Sequence, residues 1–245
     1  MRGALPNILL DLAHQAGKFI LRDYIELELL QSSNNKVRFL TKSLEKSKEC
    51  ITTFFADWLN FQIVFTDENS SQLSNQAQSI CYVCPIDSID NFLNSVPQFG
   101  MVFFLTKKFI PNKASKICLI HFPILQESIY AVEGEGAFYV KYGASTKIMR
   151  LKFSDSHSFK DPLNPITAIE GMKDINRDMK EDISILRTYG SYAFSSYLVL
   201  RKKLSNAILI DTDFAIKEAI KLLFQEAGLR YLEQDNKLLL KSTFK

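Results

Sequence analysis

Four strand-length apolar segments follow one another in the middle of this chain, and they constrain its fold more than any other feature. They run from Phe99 to Thr106, Lys116 to His121, Ser128 to Glu133 and Ala137 to Val140. Turn chemistry separates them at Pro111-Asn112 and Gly134-Glu135-Gly136. Short segments joined in this way predict an antiparallel sheet. An apolar sheet face must be covered, and the flanking sequence supplies helices. Ahead of the sheet, Ala4 to Tyr24 carries Leu5, Ile8, Leu9, Leu12, Ala13, Ala16, Phe19 and Ile20 at helical spacing. A second helix is predicted over Thr41 to Asn60, with Leu44, Ser47, Ile51, Phe54, Phe55 and Trp58 on one side.

Gln31 to Lys36 reads as a loop and Gln62 to Phe65 as a short strand. Asp67 to Gln78 is rich in Ser, Asn and Gln, without periodicity, and reads as a loop. A further strand runs from Ser79 to Val83 and ends at Pro85. Past the central strands the pattern alternates. Ile166 to Ile169 is a strand, Asp174 to Asp182 a helix, and Ser184 to Leu186 a strand. Gly190 opens a helix to about Lys203, Ala207 to Ile210 is a strand, and Asp213 to Glu226 is a helix stopped by Gly228. Helices, then a run of strands, then strand and helix in turn predict an α/β (α+β) chain built in layers.

Composition sets the outer bounds. With 245 residues, 47% hydrophobic and 23% charged, the chain can bury a sizeable core, which excludes disorder. We read one domain over 1–245, with halves at about 1–143 and 144–245. Thirty basic against 27 acidic residues is too even to make nucleic acid or anionic membrane a default partner. No stretch approaches the roughly 18 to 20 apolar residues of a membrane span. Four cysteines do not make a disulfide scaffold in a chain of this length. No targeting signal is read, and the expected setting is reducing and cytoplasmic.

Cys81-x-x-Cys84 and Cys118-x-x-His121 have zinc-knuckle spacing. Both pairs lie on predicted strands, where residues three apart face opposite ways, so buried thiols are the stronger reading. His14 is read as a surface or packing residue and His157 as loop. Lys107-Lys108 and Arg201-Lys202-Lys203 are read as solvated faces, and Phe54-Phe55 and Phe103-Phe104 as core.

Three segments carry more than pattern. The first is Cys84-Pro85-Ile86-Asp87-Ser88-Ile89-Asp90-Asn91-Phe92. The second runs from Glu127 to Phe138 through Ala131, Gly134, Gly136 and Ala137. The third is Arg187-Thr188-Tyr189-Gly190-Ser191-Tyr192-Ala193, followed later by Glu226-Ala227-Gly228. Together they resemble the inositol monophosphatase family. Its pattern is D-P-I-D-G-T-x-N-F, P-x-x-x-E leading to G-x-G-A-F, R-x-x-G-S-A-A, and W-D-x-A-A-G ahead of E-A-G-G. Ala13, Ala16 and Gly17 resemble its A-x-x-A-G, and Pro123 and Glu127 its P-x-x-x-E. The resemblance implies an α-β-α-β-α layered fold, a homodimer, and Mg²⁺-dependent hydrolysis of a phosphorylated polyol or sugar. It also offers a precedent for a protein partner in the transcription machinery, and it implies no membrane.

The resemblance also assigns residues. Asp67, Glu68, the Ile86 carbonyl and Asp87 fall on metal-ligand positions. Ser88, Ile89 and Asp90 fall where phosphate meets a helix N-terminus, and Gly190, Ser191 and Tyr192 fall at the substrate pocket. Several key positions are degenerate. Cys84 stands for the first motif Asp, Ile216 for the Asp of W-D-x-A-A-G, and Leu209 for a substrate-binding Glu. Ile89 stands for the Thr that orients the attacking water. Two carboxylates are thereby lost from a site that must hold several positive charges, and Cys is a soft ligand, poor for Mg²⁺. Asp90 is expected either to cap the helix and fill the phosphate position itself or to point away. Weak or lost catalysis with a binding or regulatory role is the first expectation. An active enzyme in which Asp90, Asp211 or Asp213 replaces a lost ligand is the second.

Overall fold

The first apolar stripe folds as a helix and runs further than expected. α1 (Ala4–Leu30) buries Leu9, Leu12, Ala13, Ala16, Ile20, Tyr24 and Leu27, a stripe at three- and four-residue spacing. α2 (Lys36–Phe55) begins before Thr41 and packs on α1. The computed structural model describes residues 4–30, 35–57, 61–68, 79–108, 114–153, 166–171 and 185–242. Trp58, His157, Pro111-Asn112 and the helix expected over Asp174 to Asp182 lie outside these residues.

The central strands form one sheet with sequential neighbours: β1 (Phe61–Phe65), β2 (Ser79–Cys84), β3 (Met101–Lys108), β4 (Ala114–Phe122), β5 (Glu127–Val132), β6 (Gly136–Lys141) and β7 (Lys147–Leu151). β2 to β7 pair antiparallel, as the turn chemistry predicts, and β1 pairs parallel to β2. The short helix α3 (Ile89–Leu93) lies between β2 and β3. The remaining strands form a second sheet: β8 (Ile166–Glu170), β9 (Ile185–Arg187), β10 (Asn206–Ile210), β11 (Tyr231–Gln234) and β12 (Lys237–Lys241), in the order β11-β12-β10-β8-β9. β9, β8 and β10 run parallel, and β12 joins antiparallel.

α4 (Tyr192–Leu200) and α5 (Phe214–Ala227) lie between the sheets. Their residues share one core with Cys84, Val102, Phe104, Cys118 and Ile120 of the first sheet and with Ala168, Ala207, Leu209 and Leu238 of the second. The other face of the first sheet packs on α1 and α2 through a separate core. α5 therefore needs a broad apolar surface, and Ala215, Ile216, Ala219, Ile220, Leu222, Leu223, Phe224 and Ala227 supply it. Gly228 ends it at φ +81°, donating to the Gln225 carbonyl at 3.1 Å. Helix, sheet, helix and sheet layers are thus described.

Strand alternation decides the cysteine question. Cys81 faces the core with α1, whereas Cys84 and Cys118 face the core with α5. All four cysteines are free. Phe103 and Phe104 divide between the same two cores. Arg201 departs from the solvated-face reading, because its guanidinium lies 3.7 Å from the Tyr139 ring centroid.

Candidate functional site

The motif turn after β2 sits between the first sheet and the start of α4. Asp87 is its anchor. Its Oδ1 accepts the Gly100 N–H at 2.6 Å, and its Oδ2 accepts the Ser191 hydroxyl at 2.5 Å and the Ala193 N–H at 3.0 Å. Ser191 is the N-cap of α4, and its hydroxyl also accepts the Phe194 N–H. Oδ2 therefore joins the turn to α4, and Oδ1 joins it to the segment that enters β3. Burial pushes the Asp87 carboxyl up to about 6, against the opposite pull of these three hydrogen bonds.

Ser88 caps α3 and accepts the Asn91 N–H. Asn91 in turn donates to the carbonyls of Gln98 and Tyr189. Asp90 does not cap the helix: it is exposed in the first turn, and its carboxylate has no hydrogen bond or ion pair among the described residues. The cap is the shorter Ser88 side chain, which can reach the N–H three residues on. Ile89 is exposed.

The acidic loop after β1 has a partner that spacing does not announce. Lys48, on α2, places its ammonium 2.7 Å from Asp67 Oδ2 and 2.7 Å from Glu68 Oε1. Burial works against the Lys48 charge, but the hydrogen bonds to Asp67 and Glu68 outweigh it and hold the group above its ordinary value. Cys84 lies nearby and is buried. Burial, reinforced by the charges of Asp87, Asp213 and Asp67 and opposed by the downward pull of the Thr66 side chain, pushes its thiol up to about 12, so it is neutral at pH 7. Ile216 is 4% exposed and Leu209 0%, both inside the core. Asp213 caps α5 by accepting the Ala215 N–H at 2.8 Å. Asp211 sits on an exposed turn with φ +52°.

A cleft of about 430 Å³ opens beside α4, lined by Ile169, Glu170, Gly171, Arg187, Gly190 and Tyr192 among others. Glu170 was not singled out from the sequence, where the strand was expected to stop one residue earlier. Its buried carboxylate accepts from the Thr188 and Ser195 hydroxyls and from the Tyr189 and Gly190 N–H groups. Those bonds fix the loop that enters α4. Gly190 takes φ +73°, and a Cβ there would stand 3.0 Å from Asn91 Oδ1. Tyr192 lines the cleft and donates its hydroxyl to the Ile210 carbonyl at 2.9 Å. Of the three pocket residues, Gly190 and Tyr192 line the cleft, while Ser191 is buried at the helix start.

Magnesium asks for six oxygens in near-octahedral array, with carboxylates free to turn toward it. Here Asp67 and Glu68 hold an ammonium, Asp87 holds a helix end, Cys84 is an uncharged thiol and Ile216 has no donor. Among the described residues, no three His, Cys, Asp or Glu side chains gather as a ligand group. The donor set does not fit a hard divalent cation.

No family model matches the chain. A solved structure of the extragenic suppressor protein suhB from Bartonella henselae superposes with a TM-score of 0.74, covering 98% of this chain and 94% of that one at 18% identity. Inositol monophosphatase II from Staphylococcus aureus superposes with a TM-score of 0.71, covering 98% and 91% at 16% identity. The fold is the inositol monophosphatase fold. The resemblance read from the three motif segments is borne out in it. A curated sequence, the fructose-1,6-bisphosphatase/inositol-1-monophosphatase of Thermotoga maritima, is 31% identical over 78 residues. That match spans 31% of this chain and 29% of that protein.

Within the inositol monophosphatase fold, the motif residues still present are those that tie segments together. Asp87 reaches Ser191, and Asn91 reaches Tyr189. Glu226 accepts the N–H groups of Gly134 and Gly136, each at 2.9 Å. Among the described residues, the positions that differ from the motif, Cys84, Ile89, Leu209 and Ile216, make no such link by side-chain hydrogen bonds between motif segments. No helix among the described residues is long and apolar enough to cross a membrane.

Proposed function

We propose that this chain is an inositol monophosphatase family protein in which metal-dependent phosphate ester hydrolysis is weak or lost, and that it serves as a binding or regulatory protein. The shared fold and the 78-residue match support the family. One observation carries the rest: each acidic residue that kept its place already has a partner. Asp67 and Glu68 are paired with Lys48, and Asp87 is bonded to Ser191, Ala193 and Gly100. Without a bound cation the cluster around Cys84 is net anionic, which opposes a phosphate dianion. The proposed ligand class stays with the family, a phosphorylated polyol or sugar, entering beside Gly190 and Tyr192. The proposed assembly is a homodimer, and the proposed protein partner, by the family precedent, is the transcription machinery. Sedimentation of the purified chain checks the dimer.

The competing reading is an active phosphatase with a rearranged site. It draws on Asp213, whose charge is felt at Cys84. Phosphate release from inositol 1-phosphate with Mg²⁺, measured beside an Asp87→Asn control, separates the two. The expected result is no release above the control. Turnover of roughly 1 per second or more, in the ordinary range for enzymes, overturns the proposal.

A further inference from the structure

The acidic loop of a phosphatase of this fold needs a positive charge against it, and here the chain carries one of its own. Asp67 and Glu68 are adjacent in sequence and follow β1 directly. Two neighbouring carboxylates repel each other, and the repulsion must be offset by a cation or by hydration. Lys48 offsets it from α2, bridging both carboxylates at 2.7 Å. The ammonium is held from a third side, 5.2 Å from the centre of the Phe65 ring. The Lys48 side chain is 19% exposed and Asp67 24%, whereas Glu68 is 58% exposed, so the Asp67 arm of the bridge is the one shielded from water.

We infer that Lys48 takes the place of a divalent cation on the Asp67–Glu68 loop, so that the carboxylates are partly neutralised and held from within and the loop binds no metal. This deepens the reading above and rests on it, because it names what replaces the metal. An ammonium has one charge where Mg²⁺ has two, and it has no vacant coordination position for a water or a phosphate oxygen. It can hold the loop in shape but cannot supply Lewis-acid chemistry. The degenerate positions fit the same account. A single positive charge needs fewer anionic partners than a metal cluster, so Cys84 and Ile216 leave no cation short of ligands.

The test is Mn²⁺ binding followed by electron paramagnetic resonance, on the whole chain. The wild type is compared with Asp67→Asn/Glu68→Gln and with Lys48→Met. Wild type is expected to bind Mn²⁺ no more tightly than the loop double variant. Lys48→Met should gain at least about tenfold in affinity by exposing two unpaired carboxylates. Adding Asp67→Asn to Lys48→Met should remove the gain, and Lys48→Arg, which keeps the charge, should show none. Should Lys48→Met fail to fold by circular dichroism, Lys48→Gln takes its place, since it keeps a donor toward the loop but not the charge. The inference is overturned if wild type binds Mn²⁺ more tightly than the loop double variant, or if a folded Lys48→Met or Lys48→Gln gains nothing. Failure here is separate from failure of the proposed function, which is read by phosphate release and not by Mn²⁺ on this loop.

Discussion

Asp87 and Ser191 are 104 residues apart in sequence, and the Ser191 hydroxyl donates to Asp87 Oδ2 at 2.5 Å. The contact fastens the turn after β2 to the start of α4, and with it the first sheet to the helices between the sheets. Ser191→Ala removes a charge-assisted hydrogen bond and the α4 cap together, and should destabilise the fold by about 2 kcal/mol in urea unfolding. The Asp87 end has a pH signature. Its carboxyl titrates near 6 in the fold, above the usual 3.8, so its contribution to stability is full below about pH 4 and is lost as pH rises through 6. Asp87→Asn cannot titrate. Its melting temperature should rise more between pH 4 and 6 than that of the wild type, because the opposing Asp87 contribution is gone.

Glu226 does for α5 what Asp87 does for α4. Both of its oxygens accept N–H groups of the hairpin between β5 and β6, at Gly134 and Gly136. Glu226→Ala should lower stability by about 1 to 2 kcal/mol, and Glu226→Gln by less, because the amide keeps one acceptor. Hydrogen exchange at the Gly136 amide is the local check, and it should quicken in both variants.

These two contacts show why the fold was legible where the site was not. The apolar stripe of α1, the short central strands and the Asp213-to-Gly228 helix follow from periodicity and capping, which act within one element. The strand β7 was missed because Lys147, Ile148, Met149 and Arg150 are all exposed, so no alternation marks it. The β11–β12 hairpin was missed as well, as Tyr231 to Gln234 is exposed but for the first residue. Asp67, Asp87 and Gly190 could be found only through resemblance, and their bonding could not. Lys48 lies in α2 among other charged residues, and nothing in its spacing separates it from a solvated face. Its role depends on a contact between two elements, which sequence pattern does not encode.

Cys84 and Ile216 are the positions where restored carboxylates should, by resemblance alone, rebuild a metal site. Their surroundings argue otherwise. Both are inside the core shared by the two sheets, at 6% and 4% exposure. An unpaired carboxylate at Ile216 would be desolvated within that core. Cys84→Asp/Ile216→Asp should therefore lose about 3 to 5 kcal/mol of stability, and should not gain Mn²⁺ affinity while Lys48 still holds the loop. Thermal melts with and without Mn²⁺ check both statements.

Gly17 of α1 packs against His121 of β4, and a Cβ at Gly17 would stand 2.7 Å from His121 Cδ2 and 2.8 Å from Nε2. The imidazole is buried and cannot swing away, because its Nδ1 is hydrogen bonded to Ser128 Oγ at 2.9 Å. Gly17→Ala gains helix propensity but overpacks this crossing, and the steric cost should prevail by about 1 to 2 kcal/mol. Chemical denaturation reads the difference.

His121 also sets how the fold responds to acid. Burial, aided by nearby His14, lowers its pKa to about 3, whereas an unfolded histidine titrates near 6.5. The unfolded chain therefore binds a proton that the folded chain refuses throughout that window. The stability this group contributes is full above about pH 6.5 and is lost as pH falls toward 3, at up to about 1.4 kcal/mol per pH unit. The direction is opposite to that of Asp87, so between pH 4 and 6 the two partly cancel. His121→Gln keeps a hydrogen-bonding side chain at Ser128 and removes the titration. Its melting temperature should fall less between pH 6.5 and 4 than that of the wild type, and the fall should be steeper in Asp87→Asn, where the opposing Asp87 contribution is gone.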